Sequence, residues 1–435
     1  MRIGVIGTGH VGLVTCATLA ALGHDVTGTD ADAEKIAIIR SGRSPFHEPG
    51  LEELMNRETA AGRLSFTADA APAIAGVDVV FLCVGTPPKA SGEASLVAVE
   101  SAARTVAREA TGPLVVVEKS TVPAGTARRV QRTFDFERSS HTFHVCSNPE
   151  FLREGHAVQD SLEPERILIG AESDVARDAM QNVYAPLIEK GVRLIETDLN
   201  TAELAKHACN AFLALKISYI NGIARLCERA GADVEQIAEV MGSDSRIGRQ
   251  FLNAGLGFGG FCFPKDLAAF DALSRQLGYE FGLLGEVAKI NEEAVDVTVQ
   301  KVKAALWNLE SKKIALWGLS FKPDTDDTRL SPALAVARKL IDEGAHVVGY
   351  DPAAMQNAKV DVPDLDLAND AFDAATDAHC LVVATEWDEF LGTDLAKLKD
   401  VMAYPVVIDA RNLFESSAMK DAGFSYFPVG RPSVA

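Results

Sequence analysis

The opening thirty residues leave the chain few folds to choose from. A short apolar run from Arg2 to Ile6 ends in Gly7, Gly9 and Gly12, at G-x-G-x-x-G spacing with Val11 inside the turn. An Ala- and Leu-rich helical pattern follows to Leu22, Gly23 stops it, and a second strand pattern from Asp25 ends at Asp30. A strand, a glycine turn, a helix and an acid eighteen residues beyond the last glycine form the fingerprint of a dinucleotide-binding βαβ unit. The glycines let a pyrophosphate lie on bare backbone at the positive end of the helix. Asp30 is then expected on the ribose hydroxyls, where its charge repels the extra phosphate of NADP, so the expected cofactor is NAD.

Strand and helix patterns go on alternating. Strand-like runs at Val77–Val84 and Leu114–Glu118 are followed by Thr86, Ser120 and Thr121. Strand ends of a doubly wound sheet face the ligand crevice, which places these hydroxyls near the cofactor. A further strand runs into Ser147, and Glu150 and Glu154, four apart, are expected to share a helix face at the crevice rim. A helix is expected from the Asp198–Glu203 stretch, where Asn200 and Glu203 stand at capping-box spacing. Its periodic residues are Leu204, Ala208, Phe212, Leu215, Tyr219, Ile223 and Leu226, and Gly231 stops it. About thirty residues give a helix of about 45 Å, long enough to bridge domains and pack on a second subunit. Helical sequence then resumes after Asp266 and runs to about Asn308.

The opening pattern recurs in the last third. Lys313–Gly318 reads as a strand, the stretch ending at Asp351 echoes that ending at Asp30, and His379–Thr385 echoes Asp78–Val84. The glycine signature is missing there, so this unit is expected to hold another ligand. Lys322, Arg329 and Arg411 supply cations for an anion such as a nucleotide diphosphate. The expected fold is α/β: two Rossmann-like doubly wound domains joined by a long central helix and helical region. The expected boundaries are 1–197, 198–308 and 309–435.

Composition limits the partners. A net charge of −19 over 435 residues argues against nucleic acid or an anionic membrane surface, so an anionic substrate needs locally placed cations. With a strand pattern already at Arg2 no leader is expected, no apolar run reaches membrane length, and the seven cysteines have neither disulfide-framework nor zinc spacing. A cytoplasmic protein without a metal site is the expectation. Six of these cysteines, Cys16, Cys83, Cys146, Cys209, Cys227 and Cys380, read as packing.

The seventh is different. Cys262 follows Gly255, Gly257, Gly259 and Gly260 and precedes Lys265 and Asp266, so it reads as a loop thiol with both charge signs beside it. A nicotinamide cofactor implies hydride transfer, and a nucleophilic thiol adds the capture of an aldehyde as a thiohemiacetal. Loss of a second hydride gives a thioester, which water opens to an acid. Lys206 and Asn210, one turn apart on the long helix, and Asp266 are the polar groups to assist, the first two on oxyanions and the third on a base or water. The inferred reaction takes an alcohol to an acid in two oxidations.

Over its whole length the chain resembles the UDP-glucose/GDP-mannose dehydrogenase family, on its UDP-glucose side. The resemblance rests on the Gly7–Gly12 turn and the stretches Ser147–Glu154, Lys206–Asn210, Gly257–Asp266 and Phe321–Arg329. It implies that Cys262 is the nucleophile, with Lys206, Asn210 and Asp266 around the reacting carbon, Glu150 as acid/base for thioester hydrolysis and Thr121 positioning water. It implies NAD contacts from Gly7, Gly9, Val11, Gly12, Asp30, Lys35, Thr86, Thr121, Glu154, Lys265 and Arg329. The nucleotide sugar is assigned to Phe151, Leu152, Arg153, Glu154, Lys206, Phe251, Leu252, Asn253, Ala254, Gly255, Gly259 and Lys322. Arg246, reaching a neighbouring subunit's site, and Arg411 complete that set, and the long central helix is expected to make a homodimer or a higher oligomer. Phe261 departs from the serine that many members of the family carry, although some carry an aromatic residue there. Two other readings stand beside this one: the same chemistry on another nucleotide sugar such as GDP-mannose, and a non-catalytic NAD- and nucleotide-binding sensor.

Overall fold

Strands that are apolar without alternation are covered on both faces, and those of this chain build two mainly parallel sheets. The computed structural model describes residues 1–137 and 141–434. The chain divides into two compact units, Met1–Cys209 with Ala268–Leu277, and Asn210–Leu267 with Gly278–Ala435.

The first unit carries β1 (Arg2–Ile6), β2 (Asp25–Thr29), β3 (Leu64–Thr67), β4 (Val79–Leu82), β5 (Leu114–Glu118), β6 (Phe143–Ser147), β7 (Arg166–Ala171) and β8 (Arg193–Thr197). Their order is β3-β2-β1-β4-β5-β6-β7-β8, parallel except between β6 and β7. Every residue of β4 and β5 is buried. The helix His10–Ala21 packs on the sheet through Leu13, Val14 and Ala17. Gly12 permits this close fit, since a Cβ there would lie 1.8 Å from the Gly7 carbonyl oxygen.

The second unit carries β9 (Lys313–Trp317), β10 (His346–Tyr350), β11 (Asp366–Leu367), β12 (Cys380–Val383), β13 (Val406–Asp409) and β14 (Ser425–Pro428). All are parallel, in the order β11-β10-β9-β12-β13-β14. This repeats the order of the first six strands of the other sheet, as the sequence echo implies. Trp317, wholly buried, stacks on Phe390 at 5.1 Å.

The central helix is Leu199–Ala230, 32 residues, or about 48 Å. Its start differs from the expected capping box. Asp198 caps it instead, accepting from Thr201 N at 3.0 Å and Thr201 Oγ1 at 2.6 Å, while Glu203 turns to another element. Three further expectations are corrected. Glu150 and Glu154 share no helix, because the stretch from Asn148 to Arg153 is irregular. Cys262 is the first residue of the helix Cys262–Gln276 rather than a loop residue. The helical run after it is two helices, the second being Gly282–Leu306.

Among the described residues, no helix is long and apolar enough to cross a membrane, and no group of three or more His, Cys, Asp or Glu side chains is placed to hold a metal ion.

Candidate active site

In the first unit the glycine turn and the end of β2 meet. Asp30 Oδ2 accepts from Thr8 N at 2.8 Å, from Thr8 Oγ1 at 3.1 Å and from Lys35 Nζ at 3.0 Å. Burial alone raises the Asp30 carboxyl, but the backbone N–H groups of Asp32 and Thr8 together with Lys35 outweigh it and hold it below its usual range. Asp30 is therefore ionised near neutrality. Gly9 is open, since a Cβ there would meet nothing within 4 Å. A bare, positively polarised helix start beside a fixed carboxylate fits a dinucleotide, with room over Gly9 for phosphate.

The next strand ends supply a second cluster. Thr86 Oγ1 donates to Thr121 O at 3.0 Å, and Ser120 Oγ to Val84 O at 2.8 Å. Thr121 contributes its carbonyl to this arrangement. Glu150 and Lys206, assigned separate roles by the resemblance, are brought together at 3.1 Å with both side chains buried. Glu150 Oε2 also accepts from Leu152 N at 2.6 Å, and the Phe151 ring lies 5.2 Å from Lys206 Nζ and 4.2 Å from the Arg166 guanidinium. Arg153 is turned onto Asp160, donating at 2.6 to 3.0 Å.

Two carboxylates at this end of the sheet, Glu48 and Glu118, have no role in the sequence analysis, and a third, Glu203, has only that of a cap for its own helix. Glu48 accepts from Gly155 N at 2.8 Å and Ala157 N at 2.7 Å and lies 2.9 Å from His10 Nε2, so it joins the glycine turn to the segment that carries Glu154. Glu203 accepts from Gly125 N at 2.6 Å and Ala127 N at 2.7 Å. Glu118, at the end of β5, accepts from Ser120 N at 3.0 Å through one oxygen. Burial pushes Glu118 up to about 8, with the charge of Glu203 adding to it and the Ser120 donors opposing. Local spacing does not reveal these roles, because each residue works through partners brought close only by the fold or through its burial.

In the second unit, Cys262 heads its helix and is exposed. An anionic sulfur is favoured at the positive end of a helix. Burial pushes Cys83, Cys146 and Cys380 up to about 12, so these stay thiols, as the packing role implies. Asp266, buried, is fixed through both oxygens: Asn210 Nδ2 donates at 2.6 Å and Lys265 Nζ at 2.5 Å. The structure therefore joins Asn210, Lys265 and Asp266 in one cluster, four residues along the helix from the thiol.

The glycine loop before Cys262 is held by two amides. Asn291 makes a peptide-like pair with Phe258, accepting from its N–H at 2.8 Å and donating to its carbonyl at 2.9 Å, and Asn221 accepts from Gly255 N at 2.8 Å. Gly257 has φ +95°, and a Cβ there would meet Asn291 Oδ1 at 2.5 Å. Leu252 and Ala254 are buried, Asn253 accepts from Arg249 Nη1 at 2.6 Å, and Phe251 takes φ +64°.

Arg411 donates to three carbonyls, those of Ala384 at 2.8 Å, Gly257 at 3.1 Å and Phe321 at 3.2 Å. It ties the glycine loop to the segment with Lys322, whose Nζ lies 5.8 Å from the Phe321 ring. Arg329 forks onto Asp327. Arg246 is exposed and forked onto Asp244. Asp351, the counterpart of Asp30, is buried and accepts from Leu319, Ser320, Ala353 and Ala354 N–H groups and from Trp387 Nε1 at 2.7 to 3.1 Å. These internal donors occupy the carboxylate that a ribose would need.

The family models for UDP-glucose/GDP-mannose dehydrogenases match three stretches: the NAD binding domain at residues 1–188, the central domain at 200–293 and the UDP binding domain at 315–416. The chain is 44% identical to the UDP-glucose 6-dehydrogenase of Rhizobium meliloti (strain 1021), covering 99% of this chain and 100% of that one. It is 41% identical to UDP-glucose 6-dehydrogenase TuaD of Bacillus subtilis (strain 168), over 100% and 94%. The solved UDP-glucose dehydrogenase from Pyrobaculum islandicum superposes with TM-score 0.92 at 38% identity, over 99% and 98%.

Proposed function

The chain belongs to the UDP-glucose/GDP-mannose dehydrogenase family, and from that premise we propose that it oxidises UDP-glucose to UDP-glucuronate in two steps, through a thioester on Cys262. Family membership makes it an NAD-dependent oxidoreductase acting on a nucleotide sugar. The observation that carries the proposal is the exposed thiol at a helix start, on the same helix as a carboxylate held by an amide and an ammonium. A simple alcohol dehydrogenase has no use for such a thiol.

Gly7, Gly9, Val11, Gly12, Asp30, Lys35, Thr86 and Thr121 of the first unit fit NAD, and Glu154, Lys265 and Arg329 are assigned to it as well. Bound NAD supplies the hydride acceptor, one molecule for each oxidation. In the first oxidation the sugar's primary hydroxyl gives up its proton toward a water held by Asp266, and Lys206 and Asn210 stabilise the alkoxide, whose carbon then loses the first hydride to become the aldehyde. The Cys262 thiolate then adds to the aldehyde carbon. The resulting oxyanion collapses with loss of the second hydride, leaving a thioester. For hydrolysis Glu150, relieved of its pair with Lys206, takes a proton from water placed by Thr121. The C–S bond breaks and the carboxylate leaves with the thiolate regenerated.

The sugar nucleotide is assigned to Phe151, Leu152, Arg153 and Glu154, to the segment Phe251 to Gly255, and to Gly259, Lys322 and Arg411, with Arg246 reaching a neighbouring subunit. Functionally we assign 1–197 to NAD, 198–308 to the thiol and to dimerisation, and 309–435 to UDP. The exposed apolar face of the central helix supports a homodimer, and a cytoplasmic location accords with a nucleotide-sugar substrate.

Counting reduced cofactor tests the mechanism. We expect two NADH per UDP-glucose consumed, a uronic acid product and no aldehyde caught by a carbonyl trap. Cys262→Ala should bind NAD and UDP-glucose and form almost no acid. A wild-type ratio of one, or acid production by Cys262→Ala near the wild-type rate, would sink the thioester. Running GDP-mannose in parallel tests the substrate.

A further inference from the structure

Phe261 stands beside two cations of the second unit. Its ring centroid lies 4.7 Å from the Arg329 guanidinium carbon and 5.6 Å from Lys265 Nζ. The approach depends on the two glycines before it. A Cβ at Gly259 would fall 2.5 Å from Leu330 O, and one at Gly260 would fall 2.8 Å from the Phe321 ring, with Gly260 at φ +74°. Bare backbone thus lets this loop lie directly on the segment that carries Arg329, and the next side chain, Phe261, meets the guanidinium.

Each cation already has a carboxylate. Asp327 takes Arg329 through Nε at 2.9 Å and Nη2 at 2.6 Å, and Asp266 takes Lys265 at 2.5 Å. Charge balance therefore does not explain the ring. Its effect is on location. A guanidinium and an ammonium repel one another, whereas the negative face of an aromatic ring attracts both.

We propose that Phe261 is a positioning residue for the cofactor: its ring holds Arg329 and Lys265 side by side as a preset cation pair for the anionic NAD. This rests on the reading that Arg329 and Lys265 contact NAD. A leucine has the bulk and lacks the quadrupole; a tyrosine keeps both.

The test uses the full-length protein and measures Kd for NAD by calorimetry without sugar nucleotide, KM for NAD, kcat, and Kd for UDP. Phe261→Leu should raise Kd and KM for NAD about 2- to 30-fold, the range of one to two ring–cation contacts. It should leave kcat and UDP affinity near wild type, and Phe261→Tyr should restore NAD affinity. Mono-, di- and trifluorinated phenylalanine at position 261 keep the ring's outline while draining its face, so NAD affinity should fall stepwise along the series. A flat fluorine series, or Phe261→Leu binding NAD like wild type, overturns the proposal. Should Phe261→Leu also lose UDP, the fluorine series decides. Wild type that binds NAD yet turns over no UDP-glucose removes the substrate reading and leaves the fluorine result to judge this one.

Discussion

Glu118 is a single buried carboxyl with a measurable consequence. One oxygen takes the Ser120 N–H, and the other is buried with no hydrogen-bond partner among the described residues. Burial raises its folded value from the ordinary carboxylate range to about 8. A carboxyl raised on folding binds more protons in the native than in the unfolded chain between those two values. Its contribution is therefore full at acid pH, declines as pH rises through that window, and is lost above about 8. Glu118→Gln removes the titration and keeps the shape. The amide adds an N–H with the same lack of a partner, a cost that does not vary with pH. The expectation is a change of slope rather than of level: between pH 5 and pH 8 the thermal midpoint should fall less in Glu118→Gln than in wild type. Parallel midpoint curves for the two proteins over that range would show that Glu118 does not titrate as burial implies.

At the scale of elements, the helix Thr126–Phe136 begins at Gly125, in the left-handed region, with no side chain of its own neighbourhood capping it. Glu203 does this from the central helix, seventy-eight residues further on from Gly125 and with both oxygens engaged. His207, one turn along the same helix, donates to Val122 O at 3.1 Å, so the turn after Thr121 is gripped twice. Glu203→Ala strands two backbone N–H groups, an expected local loss of about 1–3 kcal/mol. Hydrogen exchange at pH 8, above the value of about 7 to which burial pushes Glu203, should show faster opening at residues 126–130. The rest of the first sheet should keep its protection. Unchanged exchange there would make Glu203 a bystander. This contact also shows where sequence reading ends. The glycine turn, Asp30 and the recurrence ending at Asp351 are legible because each is a local pattern with a fixed period or spacing. Glu48, 107 residues from Gly155, carries no such pattern, and the spacing around Glu203 points to a different partner from the one it takes. The expected Asn200–Glu203 box failed because Asp198 was the nearer cap and Glu203 had a tertiary use. Cys262 stands out from the other cysteines through its neighbours in sequence, while its place at a helix start was not legible, since glycines and Pro264 around it read as loop.

For the whole molecule, a net charge of −19 makes local cations necessary for an anionic substrate and makes close approach of two copies costly unless apolar area offsets the repulsion. The central helix offers such area. Leu204, Phe212, Tyr219 and Leu226 are 39%, 60%, 50% and 60% exposed. Their spacings are eight, seven and seven residues, which keep them on one face of the helix. Large side chains left in water at this repeat suit a seam between copies, since a solvated helix face would carry charge at those positions. We expect a homodimer in which this face meets its own copy across a two-fold axis. Salt should strengthen it by screening the net charge and leaving the apolar contact. Phe212→Glu with Leu226→Glu places four like charges in the seam of such a dimer, two from each copy. Sedimentation equilibrium should find wild type at twice the chain mass and the double variant at the chain mass, with circular dichroism unchanged. A wild type that sediments as a monomer, or a double variant that stays dimeric, would move the contact off this helix.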